Sequence, residues 1–266
     1  MNGIVINIEP IIFHLGPFDL RWYSVAIIAA VITAVIISVR RGKSNGIAPD
    51  HIYSLALWAV MAGVIGARLF HIIDHWDHYM ANPGQILQFQ QGGLAIWGAL
   101  AGGFTAVIVY SRANHLPFLR LADTLIPGLL VGQMIGRFGC IVNGDAAGGL
   151  TTLPWGFIYT NPDALIPPGL FGLPTHPYPV YEQIWNGLTL LVIWRLSPRF
   201  KKDGQMFVTY LASYSLSRFV LTFMRQENIW FWGLQEAQVI ALVAFAIALA
   251  ALFYLSRKPK LAENPA

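Results

Sequence analysis

The chain has 266 residues, of which 56% are hydrophobic and only 11% are charged, with a mean hydropathy of +0.55. Soluble domains carry about 25% charged residues, so this composition excludes an ordinary soluble domain and indicates a polytopic membrane protein. The net charge of +4 comes from basic residues that flank apolar segments, which argues against nucleic-acid binding, and the single cysteine, Cys140, excludes an intramolecular disulfide.

Seven apolar segments are long enough to cross a bilayer, because a spanning helix needs about 20 mostly apolar residues. In chain order they cover 21–40, 51–73, 94–111, 120–142, 179–196, 204–225 and 236–256. Glycines interrupt the third segment and Pro127 the fourth, which membrane helices tolerate where neighbouring helices pack closely. We therefore predict an all-α membrane protein with seven transmembrane helices, forming a single transmembrane domain over residues 1–266.

Basic residues are distributed unevenly among the connecting segments. Lys and Arg follow the first, third, fifth and seventh spans, whereas 74–93 and 143–178 contain none. By the positive-inside rule, the N-terminus lies outside and the C-terminus in the cytoplasm. The long segment 143–178 is then an outer loop, and its aromatic content favours order and function over disorder. Glu9 and Asp19 precede the first span without a basic run, so we expect no cleavable signal peptide.

Arg68, Arg137 and Arg218 differ from the other basic residues because they lie within or at the edge of predicted spans. An arginine near the bilayer centre costs about 2.5–3.5 kcal/mol even on insertion scales. We therefore expect these guanidinium groups to hold an anion. Arg68 is the weakest candidate, since with His71 at i+3 it is better explained by a side chain that reaches the interface.

The segment 136–148 is the most informative, and reads Gly-Arg-Phe-Gly-Cys-Ile-Val-Asn-Gly-Asp-Ala-Ala-Gly. Arg137 suits bidentate phosphate binding, which lysine cannot reproduce. Asn143, Asp145 and Gly148 follow at the predicted helix end, where glycine lets a backbone approach a ligand closely. The alternative is a structural arginine that reaches the interface and pairs with Asp145.

Further candidates come from the first, fifth and sixth spans. Tyr214, Arg218 and Arg225 share one helix face by their spacing, although Arg225 is equally compatible with an interface anchor. Glu182 opens the fifth span and is either a counter-charge for an arginine or a group at a helix N-terminus. Tyr23 is either an aromatic-belt residue or faces a site.

Taken in order, these segments resemble the prolipoprotein diacylglyceryl transferase family of bacterial inner membranes, over nearly the whole chain. The matching positions are Gly16-Pro17, Arg21 to Tyr23, Gly66 to Leu69, Gly92-Gly93, Gly136 to Gly148, His176-Pro177, Tyr181-Glu182, Tyr214 to Arg218, and Arg225. The resemblance implies a multi-pass inner-membrane enzyme with seven spans and an active site open to the outer leaflet. It also implies transfer of the sn-1,2-diacylglyceryl group from phosphatidylglycerol to a lipobox cysteine thiol in the signal peptide of a preprolipoprotein. The products are a thioether and glycerol 1-phosphate, and the implied partners are these two substrates and membrane lipids.

The resemblance and the residue pattern together predict the roles of the candidates. Arg137 and Arg218 clamp the phosphate and stabilise the charge of the leaving group, while Tyr23 and Tyr214 place the lipid head group and handle the thiol proton. The substrate-binding residues are predicted to be Arg137, Asn143, Asp145, Gly148, Arg68, Glu182 and Arg225. We expect no cofactor and no metal, because cofactor motifs are absent and a solvated loop explains the following group better than a metal site: His71, Asp74, His75, Asp77 and His78.

Four positions depart from the family pattern and keep other functions open. Cys140 stands where Asn is frequent, Trp97 where His is frequent, Asp145 where Glu is usual, and Thr222 where Glu is common. Trp97 excludes a histidine general base at its position. A diverged, non-catalytic lipid- or lipoprotein-binding relative is therefore one alternative.

Two further alternatives are an anionic-solute transporter and an intramembrane protease. A transporter needs polar inner halves of its spans, whereas 26–39 and 186–194 look apolar, and we find no internal repeat. A protease is disfavoured because the sequence contains neither a Gly-x-Ser-x-Gly stretch nor paired intramembrane aspartates.

Overall fold

A computed structural model of the chain describes residues 3–16, 18–88, 92–225 and 229–257. Within these ranges the protein is mostly helical. The helices are α1 (Trp22–Ser44), α2 (Pro49–Asp74), α3 (Trp76–Ala81), α4 (Ile96–Ala113), α5 (Phe118–Asn143), α6 (Tyr178–Leu196), α7 (Gln205–Thr222) and α8 (Glu236–Arg257). Every predicted span therefore coincides with a helix, and the short helix α3 lies in a segment predicted to be a loop.

Among the described residues, five helices are long and apolar enough to cross a membrane, namely α1, α2, α4, α5 and α8. The chain is thus a polytopic membrane protein. Helices α6 and α7 have 19 and 18 residues, but polar side chains line their contact. Thr189 Oγ1 lies 2.6 Å from Ser213 Oγ, and Trp185 Nε1 donates to the same hydroxyl over 3.1 Å. Thr189, within the stretch 186–194, is thus a polar residue that contacts α7.

The all-α prediction was incomplete, because three small sheets accompany the helices among the described residues. Strand β1 (Ile4–Ile6) pairs in parallel with β4 (Phe157–Tyr159), which pairs in antiparallel with β5 (Pro174–Thr175). Two hairpins are formed by β2 (Ile11–Leu15) with β3 (Phe18–Arg21) and by β6 (Ile229–Phe231) with β7 (Leu234–Gln235). Strands of two to five residues are too short to show a clear period-two pattern in the sequence.

The helices belong to two compact units, one comprising Met1–Ile36 with Leu125–Ala266 and the other Ile37–Thr124. In the first unit, a buried apolar cluster joins α5, α6 and α7, with Ile126, Leu130, Ile193, Met206 and Tyr210. Helix α5 continues through Pro127 without ending. The single transmembrane domain predicted for 1–266 stays a prediction.

In the second unit, α2 and α4 pack backbone against backbone. A Cβ added to Gly66 or Gly98 would collide with the main chain of the other residue, and one added to Gly102 would collide with Ala62. Small residues allow such close approach between membrane helices, so these glycines act in packing.

Replacing Gly98 with alanine should therefore destabilise the protein by about 1–3 kcal/mol, the usual cost of overpacking a tight contact. Thermal unfolding in detergent measures the effect. Gly84→Ala is the matched control, because a Cβ on Gly84 meets no atom within 4 Å. Equal stability of the two variants would contradict this description of the α2–α4 contact.

Candidate functional site

A buried carboxylate joins two arginines in the first unit, where α6 begins. Glu182 is 5% exposed. Its Oε2 lies 2.5 Å from Arg137 Nε, and its Oε1 lies 3.8 Å from Arg218 Nη1. Of the two predicted roles for Glu182, the geometry shows the counter-charge, and it serves both arginines. In the described structure, Arg137 thus forms its short ion pair with Glu182. The structural alternative considered in the sequence analysis had instead paired Arg137 with Asp145.

Two guanidinium groups share one carboxylate in this arginine cluster, defined as Arg137, Glu182 and Arg218. Counted over these three residues, the cluster has one more positive than negative charge in a largely buried place, and Asp145 lies among the charges near Arg137. Burial strengthens electrostatic attraction, because the local dielectric is lower than in water. Such a place is suited to a phosphate or another anion, and charge-assisted hydrogen bonds from arginine add geometric specificity.

Tyr178, which was not among the predicted site residues, packs against two of the candidate arginines. Its hydroxyl accepts a hydrogen bond from Arg218 Nη1 over 2.8 Å. The guanidinium carbon of Arg225 lies 5.0 Å from the centroid of its ring, within the range of a cation–π contact. The spacing of four residues from Glu182, on the same helix face, was the signal available in the sequence.

Tyr23 lies beside Arg137 because α1 and α5 approach closely at a glycine. A Cβ on Gly139 would be 3.0 Å from Tyr23 Cα. Arg137 and Cys140 share a face of α5, with Nη1 3.6 Å from Sγ. The electrostatic neighbours of Tyr23 are Cys140, Asp145 and Arg137. The structure thus places Tyr23 with the predicted site residues.

Tyr214 lies one turn before Arg218 on α7, and its ring packs against another aromatic ring of the same helix. Its ring stacks on Tyr210, with centroids 5.9 Å apart. Gln133 of α5 donates from Nε2 to the Tyr210 hydroxyl over 2.8 Å. This support restricts the position of the Tyr214 ring.

Asn143 connects the end of α5 to the head of α1. Arg21 Nη1 donates to Asn143 Oδ1 and to the Asp163 carbonyl oxygen, each over 3.1 Å. The Asn143 carbonyl in turn accepts from Leu165 N over 2.8 Å. Asn143 is 4% exposed, and its side chain also hydrogen-bonds Asp145. Arg21 was not among the predicted site residues, although it falls in the matching segment Arg21 to Tyr23.

Asp145 and Gly148 lie in the loop after α5, and they differ in accessibility. Asp145 is exposed, yet the surrounding protein raises the pKa of its carboxyl by desolvation, against the lowering influence of a hydrogen bond with Asn143 and of Arg137 and Arg225. Gly148 is buried, and a Cβ there would lie 2.7 Å from His176 Cβ. Gly148 therefore allows the loop to close, and Asp145 is the accessible group.

The part of this loop that contains Trp155 and His176 is fixed to α6 through one tyrosine hydroxyl. Trp155 Nε1 donates to Tyr181 Oη over 3.0 Å, and His176 Nδ1 lies 3.4 Å from the same oxygen. Burial lowers the pKa of His176, which favours the neutral ring at physiological pH. Hydrogen bonds thus connect this segment to α6, and its predicted order and function stay a prediction.

Arg68, in the second unit, is surrounded by backbone carbonyls. Its Nε donates to Ile86 O over 2.9 Å, its Nη1 to Gly92 O over 2.8 Å, and its Nη2 to Gln85 O over 2.5 Å. The residue is only 4% exposed. The interface explanation was therefore wrong for Arg68, which holds the segment after α3 in place. A role in substrate binding stays a prediction.

Replacing Arg68 with lysine should lower stability by about 1–3 kcal/mol, the cost of leaving buried polar groups unsatisfied. An ammonium group has three donors and lacks the planar fork of a guanidinium. Thermal unfolding in detergent is the measurement. Arg112→Lys is the control, since Arg112 is exposed in the last turn of α4, and an equal loss in both variants would contradict the role given to Arg68.

No group of three or more His, Cys, Asp or Glu side chains suited to a metal ion occurs in the part of the chain that the structure describes. His71 and His75 stack with ring centroids 4.2 Å apart. His75 Nδ1 lies 3.6 Å from Asp74 Oδ2 and 3.2 Å from the His71 carbonyl oxygen, and the His71 ring packs edge-on against Tyr79.

The chain is similar to known proteins over nearly its whole length. A model of the prolipoprotein diacylglyceryl transferase family matches residues 10–254. The phosphatidylglycerol–prolipoprotein diacylglyceryl transferase of Lysinibacillus sphaericus is 35% identical over 264 residues, which cover 98% of this chain and 97% of that protein. Proteins of the same name from Clostridioides difficile and Thermosynechococcus vestitus are 34% and 36% identical, over 95% and 92% of this chain and 97% and 93% of their own lengths. The matched range includes every residue of the arginine cluster.

Proposed function

Because the chain belongs to the prolipoprotein diacylglyceryl transferase family, we propose that it transfers the diacylglyceryl group of phosphatidylglycerol to a prolipoprotein. The acceptor is the lipobox cysteine thiol of the signal peptide. A bond forms between sulfur and the glyceryl carbon, the bond from that carbon to the phosphate oxygen breaks, and glycerol 1-phosphate leaves. The observation that carries this proposal is the buried cluster of Arg137, Glu182 and Arg218, whose excess positive charge suits a phosphate ester.

The arginine cluster acts on the leaving group. Negative charge grows on the phosphate as its ester bond to carbon breaks, and fixed guanidinium groups stabilise that charge without reorganising. Glu182 holds Arg137 through Nε, and Tyr178 holds Arg218 through Nη1. Both side chains are thus positioned before the substrate arrives. Arg225 packs against the ring of Tyr178 and adds positive charge near the cluster.

The thiol proton requires an acceptor, and Trp97 cannot serve as a base. Asp145 is accessible and has a raised pKa, which makes its carboxylate a stronger base than an ordinary aspartate. Tyr23 lies close to the same charges. We assign proton transfer to Asp145 instead of the two tyrosines named from the sequence, so that Tyr23 and Tyr214 orient the head group. Asn143 and Gly148 shape the loop that carries Asp145.

The proposed topology has seven spans, with α6 and α7 added to the five most apolar helices. Arg41 and Lys43 end α1, Arg112 ends α4, and Arg195 ends α6. By the positive-inside rule, these basic ends of α1, α4 and α6 belong on the cytoplasmic side. This orientation supports an outside N-terminus and a site that opens to the outer leaflet of the bacterial inner membrane.

A mass-shift assay tests the proposed activity. Purified protein is mixed with phosphatidylglycerol and a lipobox peptide, and a Cys→Ser peptide serves as control. We expect a gain of one diacylglyceryl group on the cysteine peptide alone. A folded protein that binds phosphatidylglycerol but produces no gain would instead be a non-catalytic relative, the alternative that Trp97, Cys140 and Thr222 raise.

A further inference from the structure

The hairpin of β6 and β7 joins α7 to α8 and has an unusual residue at its tip. Its two-residue turn is Trp232-Gly233, with φ of +49° and +75°. Two consecutive positive φ angles match the tight turn that best suits the twist of paired strands. Asn or Asp usually precedes the glycine there, and a bulky aromatic residue in this backbone region is a genuine outlier. An outlier of this kind indicates a functional demand on the side chain.

The surface of this hairpin is apolar and exposed. Ile229, Trp230 and Trp232 are 73%, 66% and 89% exposed. No residue from 229 to 235 carries a charge. The apolar surface continues into α8, the most hydrophobic of the candidate spans, with a mean hydropathy of 2.6. The hairpin is therefore an extension of a membrane-facing surface.

The base of the hairpin is fixed to α7 and α8 by two glutamines. Gln235 Nε2 donates to the Arg225 carbonyl oxygen over 3.1 Å, and Gln238 Oε1 accepts from Gln235 N over 3.0 Å. Gln238 is 1% exposed, and its Nε2 donates to Phe219 O over 3.3 Å. The depth of the hairpin in a membrane is therefore linked to the depth of Arg225.

We propose that this hairpin inserts its tip into the head-group layer of the bilayer, with the indole rings of Trp230 and Trp232 at the interface. Indole suits this layer because it combines a large apolar ring with one N–H donor. The absence of charge in the hairpin means that insertion does not depend on the charge of the lipid head groups. The proposal rests on the membrane fold alone and is independent of the transferase activity.

Fluorescence quenching by brominated lipids in vesicles of the full-length protein tests the proposal. One set of vesicles carries bromine near the carbonyl end of the acyl chain and another near the methyl end. The signal of the hairpin is the difference between the protein and its W230F/W232F variant, which keeps the aromatic rings. W58F is the matched control, because Trp58 is 55% exposed and lies well inside α2.

We expect the hairpin signal to be quenched more by the shallow bromines than by the deep ones, and the Trp58 signal to show the opposite order. Vesicles of zwitterionic and of anionic lipid should give the same hairpin result. A hairpin signal that only a water-soluble quencher reduces would overturn the proposal and favour an aqueous partner such as the substrate protein. Quenching by neither reagent would also overturn it and indicate a surface covered by another copy of the chain.

Discussion

Replacing Arg137 with alanine should reduce diacylglyceryl transfer by about 10²–10³-fold or more, the usual effect of removing a donor that stabilises charge in the transition state. Arg137 is the closer of the two arginines to Glu182. Its loss removes half of the proposed phosphate clamp. The lipobox-peptide assay measures transfer, and thermal unfolding in detergent shows that the variant is folded.

Arg137→Lys should also be severely impaired, since an ammonium group cannot contact Glu182 and a phosphate in the same planar arrangement. Arg195→Ala is the matched control, because Arg195 is an exposed arginine at the opposite end of α6. Near-normal turnover by a folded Arg137→Ala protein would exclude the phosphate clamp.

Replacing Glu182 with glutamine should destabilise the protein by about 3–5 kcal/mol, because removing one partner of a buried ion pair leaves uncompensated charge. In this case the carboxylate serves two guanidinium groups, which would then repel each other. Activity should fall with stability as the two arginines separate. Thermal unfolding in detergent and the transfer assay, performed on the same preparations, provide the two measurements.

Glu236→Gln is the control for Glu182. Glu236 is an exposed carboxylate in the first turn of α8, so that its neutralisation should change stability by less than about 1 kcal/mol. If Glu182→Gln were as stable and as active as Glu236→Gln, the contact with the two arginines would contribute little to either property.

The sequence predicted the helices well because each span is a local pattern. The predicted span 51–73 corresponds to the observed helix Pro49–Asp74, and the predicted span 236–256 corresponds to the helix Glu236–Arg257. The hairpins were missed because their strands are too short to show a period-two pattern, and β1 was missed because its partner is distant, as in the pairing of Ile4 with Phe157. No local window contains both members of such a pair.

The candidate site could be predicted only in part. Arg137 and Arg218 stood out because charge within an apolar span is costly. Arg68 stood out for the same reason, but its partners include the carbonyls of Gln85, Ile86 and Gly92, and every residue type carries a carbonyl. Tyr178 was missed because its position against Arg218 depends on how α6 meets α7. The residue types were thus visible in the sequence, whereas their partners were not.

The parallel pairing of β1 with β4 also has a consequence for the order of folding during synthesis. The partner of Ile4 is Phe157, far later in the chain. At about 5–20 residues per second, the ribosome needs on the order of ten seconds to reach it. The strand that is synthesised first is therefore among the last to pair. The segment 143–178, which contains β4, can therefore be paired with β1 only after α1, α2, α4 and α5 have been translated.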